Sequence, residues 1–169
     1  MAERTLYLLR HAKSSWDEPA IADHDRPLAP RGERAARRMA ERIASEGVAP
    51  DLVLCSSARR ARETLTLVSV GLRPLPEVRV EDELYAADAA VLLDRLGRVR
   101  DEVGSVMLVG HNPGLQELGT LLLDRPGRTR MAQKFPTAAL ATLSARVPTW
   151  RGLQPGSARL RGLVRPRDG

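Results

Sequence analysis

The chain has 169 residues, room for one domain of ordinary size. Hydrophobic residues make up 43% and charged residues 28%, a globular balance, while aromatics at 3% are too sparse for nucleic-acid binding built on base stacking. The net charge is +6, and the single cysteine, Cys55, excludes an internal disulfide and any multi-cysteine zinc site.

In chain order, Thr5-Leu6-Tyr7-Leu8-Leu9 predicts a strand buried on both faces, because it is apolar without alternation. A polar stretch rich in Asp and Pro follows over 14–30. Ala36, Met39, Ala40, Ile43 and Ala44 then recur at helical spacing until Gly47. Residues 51–55 predict a second strand, and Ser57 is placed to N-cap a helix that carries Ala61, Leu65 and Val68 inward. Residues 77–81 form a short, charged strand, and Asp88 caps a helix through Leu92, Leu96 and Val99. Residues 105–109 predict another buried strand. Asn112 caps the helix after it, with Pro113 in the first helical position. A late strand spans 137–145, and the Arg-, Gly- and Pro-rich tail from about 151 gives one or two edge strands and a frayed end. Strand–helix alternation without a linker predicts one α/β domain over 1–169, three layers deep, with a mostly parallel central sheet.

Other signals bound the setting. No apolar run is long enough to span a bilayer, and the start lacks the features of a secretory signal, so a cytoplasmic location is expected. Of the 27 basic residues 25 are Arg, and the tail arginines leave open a salt-sensitive nucleic-acid binder as a minor alternative.

Ligands of such sheets bind beyond the carboxyl ends of the strands. After the first strand comes Arg10-His11-Ala12-Lys13-Ser14; after the second, Ser56 to Ala61 with Arg60; after 105–109, Gly110-His111-Asn112-Pro113. Two of three histidines thus fall at strand ends, with arginines beside them. A zinc site using His24 or Asp25 as third ligand is one reading, but arginines crowded on a dication are repelled. A phosphoryl group suits the set better. Arginine forks bind its oxygens, the helix start at Asn112 offers N–H groups, and one neutral histidine can attack phosphorus.

These residues, with Arg60-Ala61-x-x-Thr64, Arg26-Pro27-Leu28-x-x-x-Gly32, Leu84-Tyr85 and Lys134-Phe135-Pro136-Thr137-Ala138-Ala139-Leu140, resemble the histidine phosphatase superfamily. Its small SixA-type phosphohistidine phosphatase branch is the nearest in pattern. The resemblance implies a phosphoglycerate mutase-like fold with His11 as the phosphorylated nucleophile. Arg10 and Arg60 would hold phosphoryl oxygens, His111 would be the second histidine, and Ser14 a further binder. No metal or other cofactor is implied. Many members carry a glutamate that protonates the leaving oxygen. Here the acidic run offers Glu83, with Asp82 behind it, but lacks the glycines and Trp that usually follow. A missing acid suits phosphohistidine, since neutral imidazole leaves unaided. The expected partner is therefore a phosphorylated protein; a small phosphorylated metabolite and a non-catalytic phosphate-binding module are the alternatives. Cys55 reads as core. Trp16 and Trp150 either border the cleft or pack.

Overall fold

The computed structural model describes residues 2–166. The apolar runs become the interior of a six-stranded sheet because the inner strands have apolar side chains on both faces. β1 (Glu3–Arg10), β2 (Leu52–Ser56), β3 (Glu77–Glu81) and β4 (Ser105–Gly110) run parallel, while β5 (Leu140–Arg146) pairs antiparallel with β1 and β6 (Ala158–Val164) antiparallel with β5. The spatial order is β3-β2-β4-β1-β5-β6, which puts β1 near the centre. The short, charged β3 takes one edge, as the exposed side chains of Glu77 and Arg79 allow.

Period-two alternation divides the core in two. Leu6, Leu8, Val106 and Leu108 face α3 (Ala89–Gly97), α4 (Gly114–Leu122) and α5 (Arg125–Gln133), packing with Leu96, Leu115, Leu118 and Met131. Leu9, Val53, Cys55 and Val109 face α1 (Pro30–Ser45) and α2 (Arg59–Val68), packing with Met39, Ile43, Ala61 and Val68. The expected three layers are therefore present, and Cys55 is a core residue. None of the described helices is long and apolar enough to cross a membrane. At the end of the sheet where β1 starts, buried Arg4 donates to the carbonyls of Asp101, Val103 and Pro148, and the Trp150 indole donates to Val103 at 2.7 Å. Trp150 packs; it does not border the cleft.

Several boundaries differ from expectation. α2 begins two residues beyond Ser57, with Ala58 as an N-cap that lacks a side-chain bond; the Ser57 hydroxyl meets His24 Nε2 at 2.9 Å instead. Pro113, not Asn112, is the α4 N-cap, although Asn112 Oδ1 still accepts from the Gln116 amide. Asp88 caps α3 as expected. β5 starts at Leu140 rather than 137, because Ala138 adopts a left-handed turn with φ 63°. That turn has a purpose: the Ala138 amide is 3.0 Å from the Arg10 carbonyl and 3.1 Å from that of His11. α5 was not anticipated. Asp124 caps it, but only Gly127 and Met131 are buried in it, too few for visible periodicity. The tail supplies one edge strand, β6; the frayed end expected beyond it falls on 167–169, outside the described residues.

The polar stretch after β1 doubles back on itself. Ser15 N donates to the Pro27 carbonyl at 2.8 Å and Ala29 N to that of Lys13 at 2.9 Å. α1 then packs directly on this strap through Gly32, where an added Cβ would sit 2.1 Å from the Lys13 carbonyl oxygen. Backbone opposes backbone there, so no side chain can yield. Gly32→Ala is expected to lower stability by about 3 kcal/mol, the upper end of overpacking costs, read as an earlier urea midpoint.

Candidate active site

Parallel packing of β1, β2 and β4 gathers three carboxyl ends at one place. The His11 amide donates to the Gly110 carbonyl at 3.0 Å, which ties the residue after β1 to the end of β4. His11 and His111 consequently face each other, with ring centroids 5.1 Å apart. His11 Nδ1 lies 2.7 Å from the Ala12 carbonyl oxygen. A carbonyl only accepts, so Nδ1 carries the proton and Nε2 keeps its lone pair. Nε2 points toward Arg60, whose Nε is 3.4 Å away.

Arg60 is held by its other edge. Its Nη1 donates to the Asp23 backbone carbonyl at 2.8 Å and its Nη2 to Asp23 Oδ2 at 3.1 Å. The Nε/Nη2 side is thereby turned to the histidines, with His111 Nδ1 3.5 Å from Nη2. Asp23 is itself held by Arg26 Nε at 3.0 Å and by the Tyr85 hydroxyl. His111 Nε2 lies 2.7 Å from the Ser56 hydroxyl at the end of β2. Arg10 donates through Nη1 to the Phe135 carbonyl at 3.1 Å, while its Nε is buried with no partner among the described residues. Such a donor is costly to leave unmet and is what an anion would satisfy.

The electrostatics favour neutral imidazoles. Burial is the main cause that pushes His11 down to about 4, with Arg60, Arg10 and Arg26 adding to it against the Ala12 bond. Burial likewise lowers His111 to about 3, helped by His11 and Arg60. Asp23 falls to about 2, first through the Tyr85 hydroxyl and then through Arg26 and Arg60, so it is an anion and no proton donor at neutral pH.

A cavity of about 370 Å³ opens over these groups. Arg10, His11, Ser14, Arg60, His111 and Asn112 all line it, so six of the seven residues singled out in the sequence converge. Ser14 and Asn112, like the other four, have partners of their own. The Ser14 hydroxyl accepts from Arg26 at 2.6 Å, and the Asn112 amide donates to Phe135 and Gln116. Glu83 is not brought to the cavity. Its carboxylate pairs with Arg98 at 2.5 Å and with Arg95 at 3.5 Å, and its side chain is 42% exposed. Asp82 does not line the cavity either; among the described residues the one lining carboxylate is Asp88, which caps α3. The short helical turn over Asp82–Leu84 explains this, since it directs Glu83 toward α3. His24 is taken by Ser57 and Asp25, and no group of three or more metal-ligating side chains forms among the described residues.

Asp23, Arg26, Tyr85 and Ser56 do work that the strand-end argument did not assign. Arg26 and Tyr85 stand within the motif positions quoted above. Asp23 carries no such signal, one acid among Asp17, Glu18 and Asp25 in the same polar stretch.

Asp23→Ala, which keeps only the backbone carbonyl, is expected to loosen Arg60 and cut turnover about tenfold, a charge-assisted bond discounted for partial exposure. Asp23→Asn, which also retains a side-chain acceptor, should lose less. Glu83→Gln is expected to leave turnover of aryl and alkyl phosphates within twofold, measured as initial rates on both.

Comparison with known proteins agrees with this geometry. The model of the histidine phosphatase superfamily (branch 1) matches residues 6–95. A protein of Mycobacterium tuberculosis, strain H37Rv, is 37% identical over 164 residues, covering 94% of this chain and all of that one. The SixA-like protein of Nakamurella multipartita superposes with a TM-score of 0.86 at 31% identity, over 99% of both chains. A protein histidine phosphatase SixA, solved with tungstate, superposes with a TM-score of 0.77 at 25% identity, over 96% of this chain and 97% of that one. The chain belongs to the histidine phosphatase superfamily, with the phosphoglycerate mutase-like fold and the SixA-type pattern.

Proposed function

We propose that the protein is a metal-independent phosphatase that works through a phosphohistidine on His11 and removes phosphate from phosphohistidine in a protein. One observation carries the reading: the bond from Nδ1 to the Ala12 carbonyl leaves the His11 Nε2 lone pair facing the free side of Arg60. The relatives support it, one of them being a SixA crystallised with tungstate, a tetrahedral oxyanion.

In the first step Nε2 bonds to phosphorus as the P–N bond of a substrate ring protonated on its other nitrogen breaks, and neutral imidazole departs with the bonding pair. Arg60 Nε and Nη2, Arg10 Nε and His111 surround the transferring oxygens, and such fixed donors supply most of the barrier reduction in phosphoryl transfer. In the second step a water oxygen bonds to phosphorus, the Nε2–P bond breaks and phosphate leaves. Neither step needs a strong acid when the leaving group is imidazole. An alcohol phosphate does need one, and Asp88, the sole lining carboxylate, already accepts from the Val91 amide. The protein-phosphohistidine reading is therefore preferred over a metabolite phosphomonoesterase.

His11→Ala is expected to abolish turnover of p-nitrophenyl phosphate and of a phosphohistidine peptide alike. Stoichiometric labelling of His11 without turnover would instead mark a binding module. EDTA should leave the rate unchanged; loss on chelation with recovery on added zinc or magnesium would overturn the reading.

The acid limb of the pH profile follows from the lowered His11 value. A proton on Nε2 removes the lone pair, so kcat/KM, corrected for substrate ionisation, should hold from pH 7 to about 5. It should then fall tenfold per pH unit below about 4. A limb near 6.5 would mean an unshifted nucleophile.

A further inference from the structure

Trp16 is five residues past the nucleophile and lines the same cavity, yet its side chain is 70% exposed. Core packing does not account for it. The other rings are engaged: Trp150 and Phe135 are buried, Tyr85 meets His24 and His111 edge to face, and Tyr7 packs against the α1–α2 core. Trp16 has one fixed neighbour. The Arg26 guanidinium carbon lies 3.5 Å from its ring centroid. Arg26 cannot swing away, because Nε is bound to Asp23 and Nη1 to the Ser14 hydroxyl and the Ser15 carbonyl. The backbone is fixed too, since Ser14 bridges to Leu28 and Ser15 N donates to Pro27. The indole is thus braced from one side, at the rim of a cavity whose floor is the nucleophile, with most of its surface open.

We infer that Trp16 is a stacking platform that selects phosphates whose leaving group is a planar ring, imidazole or phenol, over aliphatic and acyl phosphates. This rests on the phosphatase reading and deepens it by assigning the leaving-group subsite. A flat ring laid on the indole gains an aromatic contact, and an acyl or alkyl group of similar reactivity gains little. Arg26 then serves two ends, latching Asp23 and bracing the platform.

The test compares leaving groups that all depart readily, so that chemistry does not mask binding. Steady-state kinetics of wild type, Trp16→Ala and Trp16→Phe would be measured on N-phosphoimidazole, a phosphohistidine peptide, p-nitrophenyl phosphate and acetyl phosphate. Trp16→Ala is expected to raise KM about tenfold on the ring substrates, with kcat within twofold, and to leave acetyl phosphate unchanged. Trp16→Phe should recover most of the loss. The ring carrier with the larger loss, peptide or free phosphoimidazole, identifies the source of the ring. Equal losses on acetyl phosphate, or no loss anywhere, would overturn the inference. A second readout is independent of turnover. Phenylphosphonate should quench wild-type fluorescence through exposed Trp16, since Trp150 is buried, and should fail to do so in Trp16→Phe; an unquenched wild type would also overturn it. If wild type hydrolyses none of the four compounds, the phosphatase reading fails, and the platform is then judged by the quenching alone.

Discussion

The site depends on how one guanidinium is oriented. Arg60 has five N–H groups, and Asp23 takes one from each terminal nitrogen through a backbone carbonyl and a carboxylate. What remains is the side that faces His11 and His111. Because the carboxylate is shared with Arg26 and Tyr85, the orientation of Arg60 is built into the strap after β1 and the turn after β3. Desolvation, with positive charge adding to it, then keeps both imidazoles neutral, the state in which a ring nitrogen has a lone pair to give.

The sheet also explains how arginine is used in this chain. Arg4 satisfies backbone carbonyls at the end of the sheet where β1 starts, and Arg95 clamps Glu81 of β3 at 2.7 Å. These two are buried and serve the fold, Arg10 and Arg60 serve the cavity, and Arg26, which braces the strap and lines the cavity, serves both. A net charge of +6 therefore says less about partners than the placement of a few side chains does.

What could be read from the sequence follows the same division. Strands carry their signal locally, as apolar runs, and the rule that ligands sit beyond strand ends brings Arg10, His11, Arg60 and His111 together from sequence alone. Caps were harder. Asn112 and Ser57 each have the right chemistry for a helix start, but the first is displaced by Pro113 and the second is drawn to His24. Glu83 had a plausible position in sequence, yet the turn over Asp82–Leu84 directs it to the arginines of α3. Asp23 was invisible because its meaning lies in partners 3, 37 and 62 residues away, and no local pattern records them.

The central position of β1 has a consequence for assembly. Thr5 lies opposite Ser105 on one side and Ser144 on the other, so the first strand to be synthesised waits for two of the last to find neighbours. Until the segment around Ala138 has emerged, the carbonyls of Arg10 and His11 have no clamp, and the edge of β1 that pairs with β5 stays open to other chains. A nascent or truncated chain ending before Leu140 therefore leaves His11 beside an open strand edge. The surroundings of His11 are completed only when the antiparallel half closes over β1, so the formed cavity and the covered edge arrive in the same event.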